Sequence, residues 1–230
     1  MFSRLVRIFP LILLVFLFSC NRKDKRAVIN EVGKMYLDYQ VQAEEGDDKL
    51  TVLIRFRDGE EGEALLLPPD AEIILDELSL QADSSKRTGG FYEVHLPIDS
   101  FQGNHHFLLK QGGKLIHDQP FSFSKMGLAE EPGDSLSRGE LVFRFTGLEK
   151  EDYVRVIATD TVFYSEGINR LDTVRNSQLL LSRNDLALLE NGPVQLLFSR
   201  EWVQPIDAAD KPTGRLSINY TLRREFILKD

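Results

Sequence analysis

The four histidines are the first residues to weigh for chemistry, because His95, His105, His106 and His117 all fall within one stretch of the chain, inside the expected unit 32–125. Zinc needs three or four ligands converging at about 2.1 Å. Neighbours on a strand point to opposite faces, so His105 and His106 cannot both serve one ion. Alternation places Tyr92, Val94 and Leu96 inward and His95 outward, so scattered surface and edge histidines are expected and no metal site is assigned. Two acidic runs, Glu44-Glu45-Gly46-Asp47-Asp48 and Asp58-Gly59-Glu60-Glu61-Gly62-Glu63, lack the alternating order of a calcium loop. They flank the segment Leu50 to Arg57, which as a strand sets them at opposite ends of a domain. Solvated turns are the expectation for both.

Neither a Gly-x-Ser-x-Gly elbow nor a phosphate-binding glycine loop is present. Paired carboxylates for glycoside cleavage can come from anywhere in a chain, and no spacing here marks a pair. No catalytic residue and no cofactor is assigned. Two aromatics are the candidates for a binding surface. Phe91 falls on the outward side with Glu93 and His95, and Trp202 follows Glu201 just past a strand expected to end near Arg200. Tryptophan and tyrosine dominate interface hot spots, and exposed aromatics also stack on sugar rings. The segment from Trp202 to Gly214 reads as an extra loop, the kind of insertion that carries function on a scaffold.

Cys20 is the only cysteine, which excludes a disulfide within the chain and a cysteine zinc site. Before it stand Arg4 and Arg7, then an apolar run from Phe9 to Phe18. The run is shorter than the roughly 20 residues a spanning helix needs, so it reads as a secretory signal that is cleaved. Leu17-Phe18-Ser19-Cys20 resembles the lipobox of bacterial lipoproteins, with an aliphatic residue three before the cysteine and a small one just before it. The resemblance implies that the Cys20 thiol takes a diacylglycerol and that the chain is cut before it. Each buried methylene contributes about 0.8 kcal/mol, and more than one acyl chain makes the anchor stable. Asn21 to Arg26 is polar and basic and reads as a tether. By the same resemblance, Asn21 in place of an aspartate points to the outer rather than the inner membrane.

The formal charge of the 230-residue chain is −8. The signal carries two arginines and no acid, so the mature protein is more acidic still. That balance argues against nucleic acid, which requires a basic face.

Period-two alternation recurs, as in Leu50, Val52, Ile54 and Phe56, and in Leu216, Ile218, Tyr220 and Leu222. Gly46-Asp47, Asp58-Gly59, Gly89-Gly90, Gly112-Gly113 and Asn191-Gly192 supply turns between such runs. An internal match at an offset of about 89 residues sets Leu53 to Arg57 on Val142 to Thr146, Ile73 to Leu75 on Val162 to Tyr164, and Gly103 on Gly192. It also sets His105 in the inward position of Val194. The small, acidic stretch 126–137 reads as a linker between units 32–125 and 138–230, after a signal over 1–19 and a lipidated tether over 20–31. The segments before Gly103 and Gly192 resemble the turn between the fifth and sixth strands of immunoglobulin-like or fibronectin type III-like domains. An aliphatic plug under the turn and a glycine opening the next strand are the shared features. The basic ending from Arg223 to Leu228 is expected to be a last edge strand or a contact for an envelope protein.

The expectation is an all-β chain of two tandem immunoglobulin-like antiparallel β-sandwiches behind a lipoprotein signal. Its expected role is a non-enzymatic module, held in the membrane through Cys20, that binds or scaffolds an envelope protein or glycan. A carbohydrate-binding accessory lipoprotein is the alternative.

Overall fold

The computed structural model describes residues 35–230, apart from 86, 150, 163 and 207–212. Cys20, the signal and the tether lie outside the described residues. Alternation becomes burial in β2 (Lys49–Arg57), where Leu50, Val52, Ile54 and Phe56 are fully buried and the residues between them face outward. Full burial of such side chains contributes about 1.5–3 kcal/mol each. In the first sandwich β2 sits between β1 (Tyr36–Glu44) and β7 (Gly89–Pro97), with β6 (Ala82–Ser85) beyond and β3 (Ala64–Leu65) on its end. The facing layer is β4 (Ala71–Leu75), β5 (Leu78–Ser79), β8 (Gly103–Gln111) and β9 (Lys114–Phe123), in the order β5-β4-β8-β9. Tyr39 of one layer meets Phe107 of the other with ring centroids 4.7 Å apart.

The second sandwich repeats this plan. One layer is β10 (Gly127–Leu128), β12 (Leu141–Thr146) and β15 (Gln178–Leu181). The other is β14 (Ile168–Arg175), β13 (Glu151–Asp160), β16 (Gly192–Ile206) and β17 (Thr213–Lys229), with β11 (Ser135–Ser137) parallel to the end of β17. Phe143 and Phe145 pack edge-on against Phe198 across the layers, at 4.9 and 5.1 Å. The one-turn helix α1 (Arg183–Leu186) starts from a capping box in which Ser182 and Asp185 satisfy each other's backbone N–H. It buries Leu186 as the plug under the turn before β16.

The strand order, two layers each with its hairpin and a crossover, makes both units immunoglobulin-like. Two of the three internal matches fall on equivalent strands, β2 with β12 and β8 with β16. Gly103 and Gly192 open β8 and β16 with φ of 111° and 130°, a region open to glycine and costly for other residues. The middle match fails. Ile73 to Leu75 belong to β4, whose equivalent β13 ends at Asp160, before Val162 and Tyr164, and Phe163 lies outside the described residues. A constant offset cannot hold there, because residues 58–70 separate β2 from β4 while only 147–150 separate β12 from β13.

The final hairpin departs further from expectation. β16 does not end near Arg200 but runs on to Ile206, and Thr213 and Gly214 already belong to β17. The segment expected as an extra loop is therefore mostly paired strand. Pro205 hid this in the sequence, but it sits past Arg200, where β16 has lost β13 and keeps only β17 as a partner, and such one-sided positions tolerate proline. Nor is β17 an edge strand over most of its length, although Leu222 to Phe226 pair with β16 alone. Over Thr213–Thr221 it pairs in parallel with β1 for nine residues, and over Ile227–Lys229 with β11. The stretch 126–137 likewise contributes β10 and β11 to the second sandwich.

The β1–β17 pairing joins the two units in one hydrogen-bonded sheet. Their buried apolar side chains form one connected cluster reaching from Leu37 to Leu228. Tyr220 of the hairpin meets Phe123 of β9 at 6.2 Å, so the hairpin also touches the other layer of the first sandwich. Close approach is allowed by Gly214, where a Cβ would stand 2.1 Å from the Leu37 carbonyl oxygen. Gly214→Ala should therefore cost about 1–3 kcal/mol and lower the melting temperature. Gly139→Ala, with nothing within 4 Å of the added carbon, should leave it within experimental scatter. Equal melting curves for the two variants would contradict the close packing of β17 on β1.

Candidate binding surface

The shared sheet fixes one outward face across both units. Cross-strand register sets Pro205 opposite Arg215, Arg215 opposite Asp38 and Asp38 opposite Arg55. The β2–β7 ladder ends at the Ile54–Tyr92 pair, and Phe91 follows Tyr92 along β7 on the same outward side as Glu93. The next row holds Val203, Ser217, Gln40, Leu53 and Glu93. A ligand or partner on this face would meet residues of both sandwiches at fixed spacing.

Asp38 is the structural centre of the face. It points outward from β1 yet is only 1% exposed. Arg215 Nε donates to its Oδ1 at 3.1 Å, Arg57 Nη2 lies 3.5 Å from its Oδ2, and Gln40 Nε2 lies 3.1 Å from both oxygens. A buried carboxylate persists only when paired and hydrogen-bonded. One of its partners, Arg215, comes from the second unit's hairpin. The same pairing raises the Arg215 pKa above its ordinary value, the hydrogen bond to Asp38 being the first cause.

Further pairs line the junction. The acidic turn after β1 holds β17, with Glu44 3.1 Å from Arg223 and Glu45 paired with Arg224. Glu131 closes on Arg224 from the other side. That acidic run is thus partly a clamp for the basic ending, while Asp58 to Glu63 lies at the opposite end of β2. Arg200 forms an ion pair with Asp152 at 2.9 Å, and its Nη1 donates to Ser124 Oγ at 3.0 Å.

Trp202 lies inside β16, on the same face as Arg200 and Gln204. Arg200 reaches Ser124, and Gln204 Oε1 accepts from Gln119 Nε2 at 3.4 Å. Gln119 lies within β9 and Ser124 just after it, so Trp202 stands at the seam between the sandwiches, with 38% of its surface exposed. Phe91 is half-buried on the outward face. The structure does not bring the two aromatics into one site, since they occupy opposite faces of the sheet. Sequence reasoning missed Gln119, a buried polar residue on the inward side of β9. Its signal was legible as a polar residue in the Phe121 and Phe123 alternation.

The histidines do not converge. His105 is buried and stacks on Phe101 at 3.8 Å, with its Nδ1 2.8 Å from Asp76. His106 points outward to Asp118, and His95 is exposed beside Thr51 and Glu93. Among the described residues no group of three or more histidine, cysteine, aspartate or glutamate side chains is placed to hold a metal ion.

No family model and no curated protein matches this sequence. Among solved structures it is similar to the crystal structure of DIP-gamma IG1+IG2, with a TM-score of 0.25 and 8% identity over 84% of this chain and 99% of that one. It is also similar to Dpr11 IG1 bound to DIP-gamma IG+IG2, at 0.25 and 9% over 82% and 97%. The anomalous substructure of Titin-A168169 is similar at 0.23 and 12%, over 83% and 97%. At such values the description of the fold rests on strand order.

A double-mutant cycle measures the Asp38 junction. Asp38→Ala should destabilise by about 1–3 kcal/mol, the cost of leaving buried donors unmatched. Its coupling to Arg215→Ala should exceed that of the exposed Arg155–Glu201 pair, for which about 0.2–1 kcal/mol is expected. Equal couplings in denaturant titrations would remove Asp38 from its central place.

Proposed function

We propose that this chain is a lipid-anchored, non-enzymatic module of the cell envelope that holds another macromolecule on a fixed surface shared by its two sandwiches. The observation that carries the reading is the β1–β17 ladder, which turns two units into one continuous sheet with a single outward face. Binding modules gain affinity when surface groups are held in place before the partner arrives. The anchor is read from Leu17-Phe18-Ser19-Cys20. Fourteen residues separate Cys20 from Met35, a reach on the order of 50 Å when extended. That is enough to lift the module clear of the headgroups. Outer-membrane placement follows the same resemblance through Asn21. Net charge supports a partner other than nucleic acid.

The alternative reading, a carbohydrate-binding accessory lipoprotein, draws on Phe91 and on the exposed part of Trp202. Glycan arrays separate the two. Saturable sugar binding lost in Phe91→Ala or Trp202→Ala would favour the carbohydrate reading.

Cys20→Ser should abolish metabolic labelling with a palmitate analogue and release the protein from the membrane fraction, and continued labelling would refute the anchor. A pull-down from detergent-solubilised envelope should recover one partner stoichiometrically. Its recovery should fall when Val203→Glu alters the outward face. A partner insensitive to every outward-face change would refute the assigned surface.

A further inference from the structure

At the end of the first sandwich, the outward face dips into a concavity of about 560 Å³. It is lined by Arg55 and Arg57 of β2, by Glu63 and Ala64 at the start of β3, and by Arg87 and Thr88 of the turn before β7. Three arginines against one acid are out of keeping with a chain whose net charge is −8. Arg57 is fixed by Asp38 and donates through Nη1 to the Gly62 carbonyl at 3.3 Å. Arg55 and Arg87 are different. Among the described residues neither side chain makes a hydrogen bond or an ion pair, although Arg55 is half-buried.

A guanidinium is a planar fork of donors whose geometry matches two oxygens of a phosphate or carboxylate at once. Two unengaged forks and a third held in place converge here on a volume within the range of small-ligand sites. A bare phosphate would leave most of that volume unfilled, whereas a sugar phosphate would not. Phe91 lies on β7 one residue from Tyr92, the cross-strand partner of Ile54, and offers an aromatic surface on the same outward side. We propose that this arginine concavity binds a phosphate-bearing group of sugar-phosphate size.

Such a group could come from a soluble sugar phosphate or from a phosphorylated lipid headgroup. Tyr36, where β1 begins, is opposite Arg57, so the concavity lies at the end of the sandwich that the N-terminal segment reaches first. Only the lipid source rests on the proposed anchor.

The test uses the full mature protein in non-ionic detergent and isothermal titration. Glucose 6-phosphate, with glucose as control, probes the soluble source. Dioctanoyl phosphatidylinositol, whose headgroup is of sugar-phosphate size, with dioctanoylglycerol as control, probes the headgroup. Saturable binding of at least one phosphate probe and of neither control is expected. Arg55→Gln and Arg87→Gln should each weaken it by about tenfold, a loss of about 1.4 kcal/mol, with no change in melting temperature. Glu63→Gln removes the one lining acid and should tighten binding several-fold, which keeps the proposal testable if an arginine variant folds poorly. Absence of saturable binding by either phosphate up to about 10 mM, a range in which even weak sites register, would overturn it. So would binding indifferent to all three substitutions. Loss of binding with palmitate labelling intact refutes the concavity alone, and the converse refutes the anchor alone.

Discussion

The nine-residue parallel ladder between β1 and β17 is the interaction on which the rest of the structure depends. Without it, β1 would be an edge strand of the first sandwich, an open template for another chain, and Thr213 to Thr221 of β17 would be open on one side. With it, each unit covers the other's exposed backbone. Gly214 lets the strands approach, Leu216, Ile218, Tyr220 and Leu222 extend the buried cluster, and Asp38 ties the outward side through Arg215. Backbone pairing, apolar burial and charge pairing all act at one seam. Relative motion is the default for tandem domains with small polar interfaces, and a continuous sheet removes that freedom.

Charge placement follows from the same seam. The chain is acidic overall, yet Arg57, Arg200, Arg215, Arg223 and Arg224 gather where the units meet, each facing a carboxylate of another strand or turn. Pairs as exposed as Arg223–Glu44 contribute little, so they set register more than stability. Asp38 and the Arg200–Asp152 pair are buried enough to matter energetically. Arg55 and Arg87 stand apart from this pattern because no acid among the described residues engages them.

Much of the fold was legible in the sequence because half-buried strands write their burial as alternation. Leu50 to Phe56 and Leu216 to Leu222 are buried where the alternation places them, and Gly103 and Gly192 mark equivalent strands. His105 is inward and His106 outward for the same reason. The seam was not legible. Which strand lies beside β1 is a pairing between residues about 180 positions apart in sequence, and no local pattern encodes it. Pro205 and the turn residues from Pro212 to Gly214 have the composition of a loop, so the strand extension that makes the seam read as an insertion. The arginine concavity escaped for a related reason. Arg55 and Arg57 come from one strand and Arg87 from a distant turn, and only the sheet order brings them together.

The most direct test of the seam is native-state hydrogen exchange on the amides of β1 that point away from β2. These groups have no partner if the sandwiches move independently, and they are ladder donors if β17 lies beside them. The account predicts that they exchange only with global unfolding, at the same free energy as the β2-facing amides of the strand. Exchange at the rate of an exposed edge strand, with the β2-facing amides still protected, would contradict it.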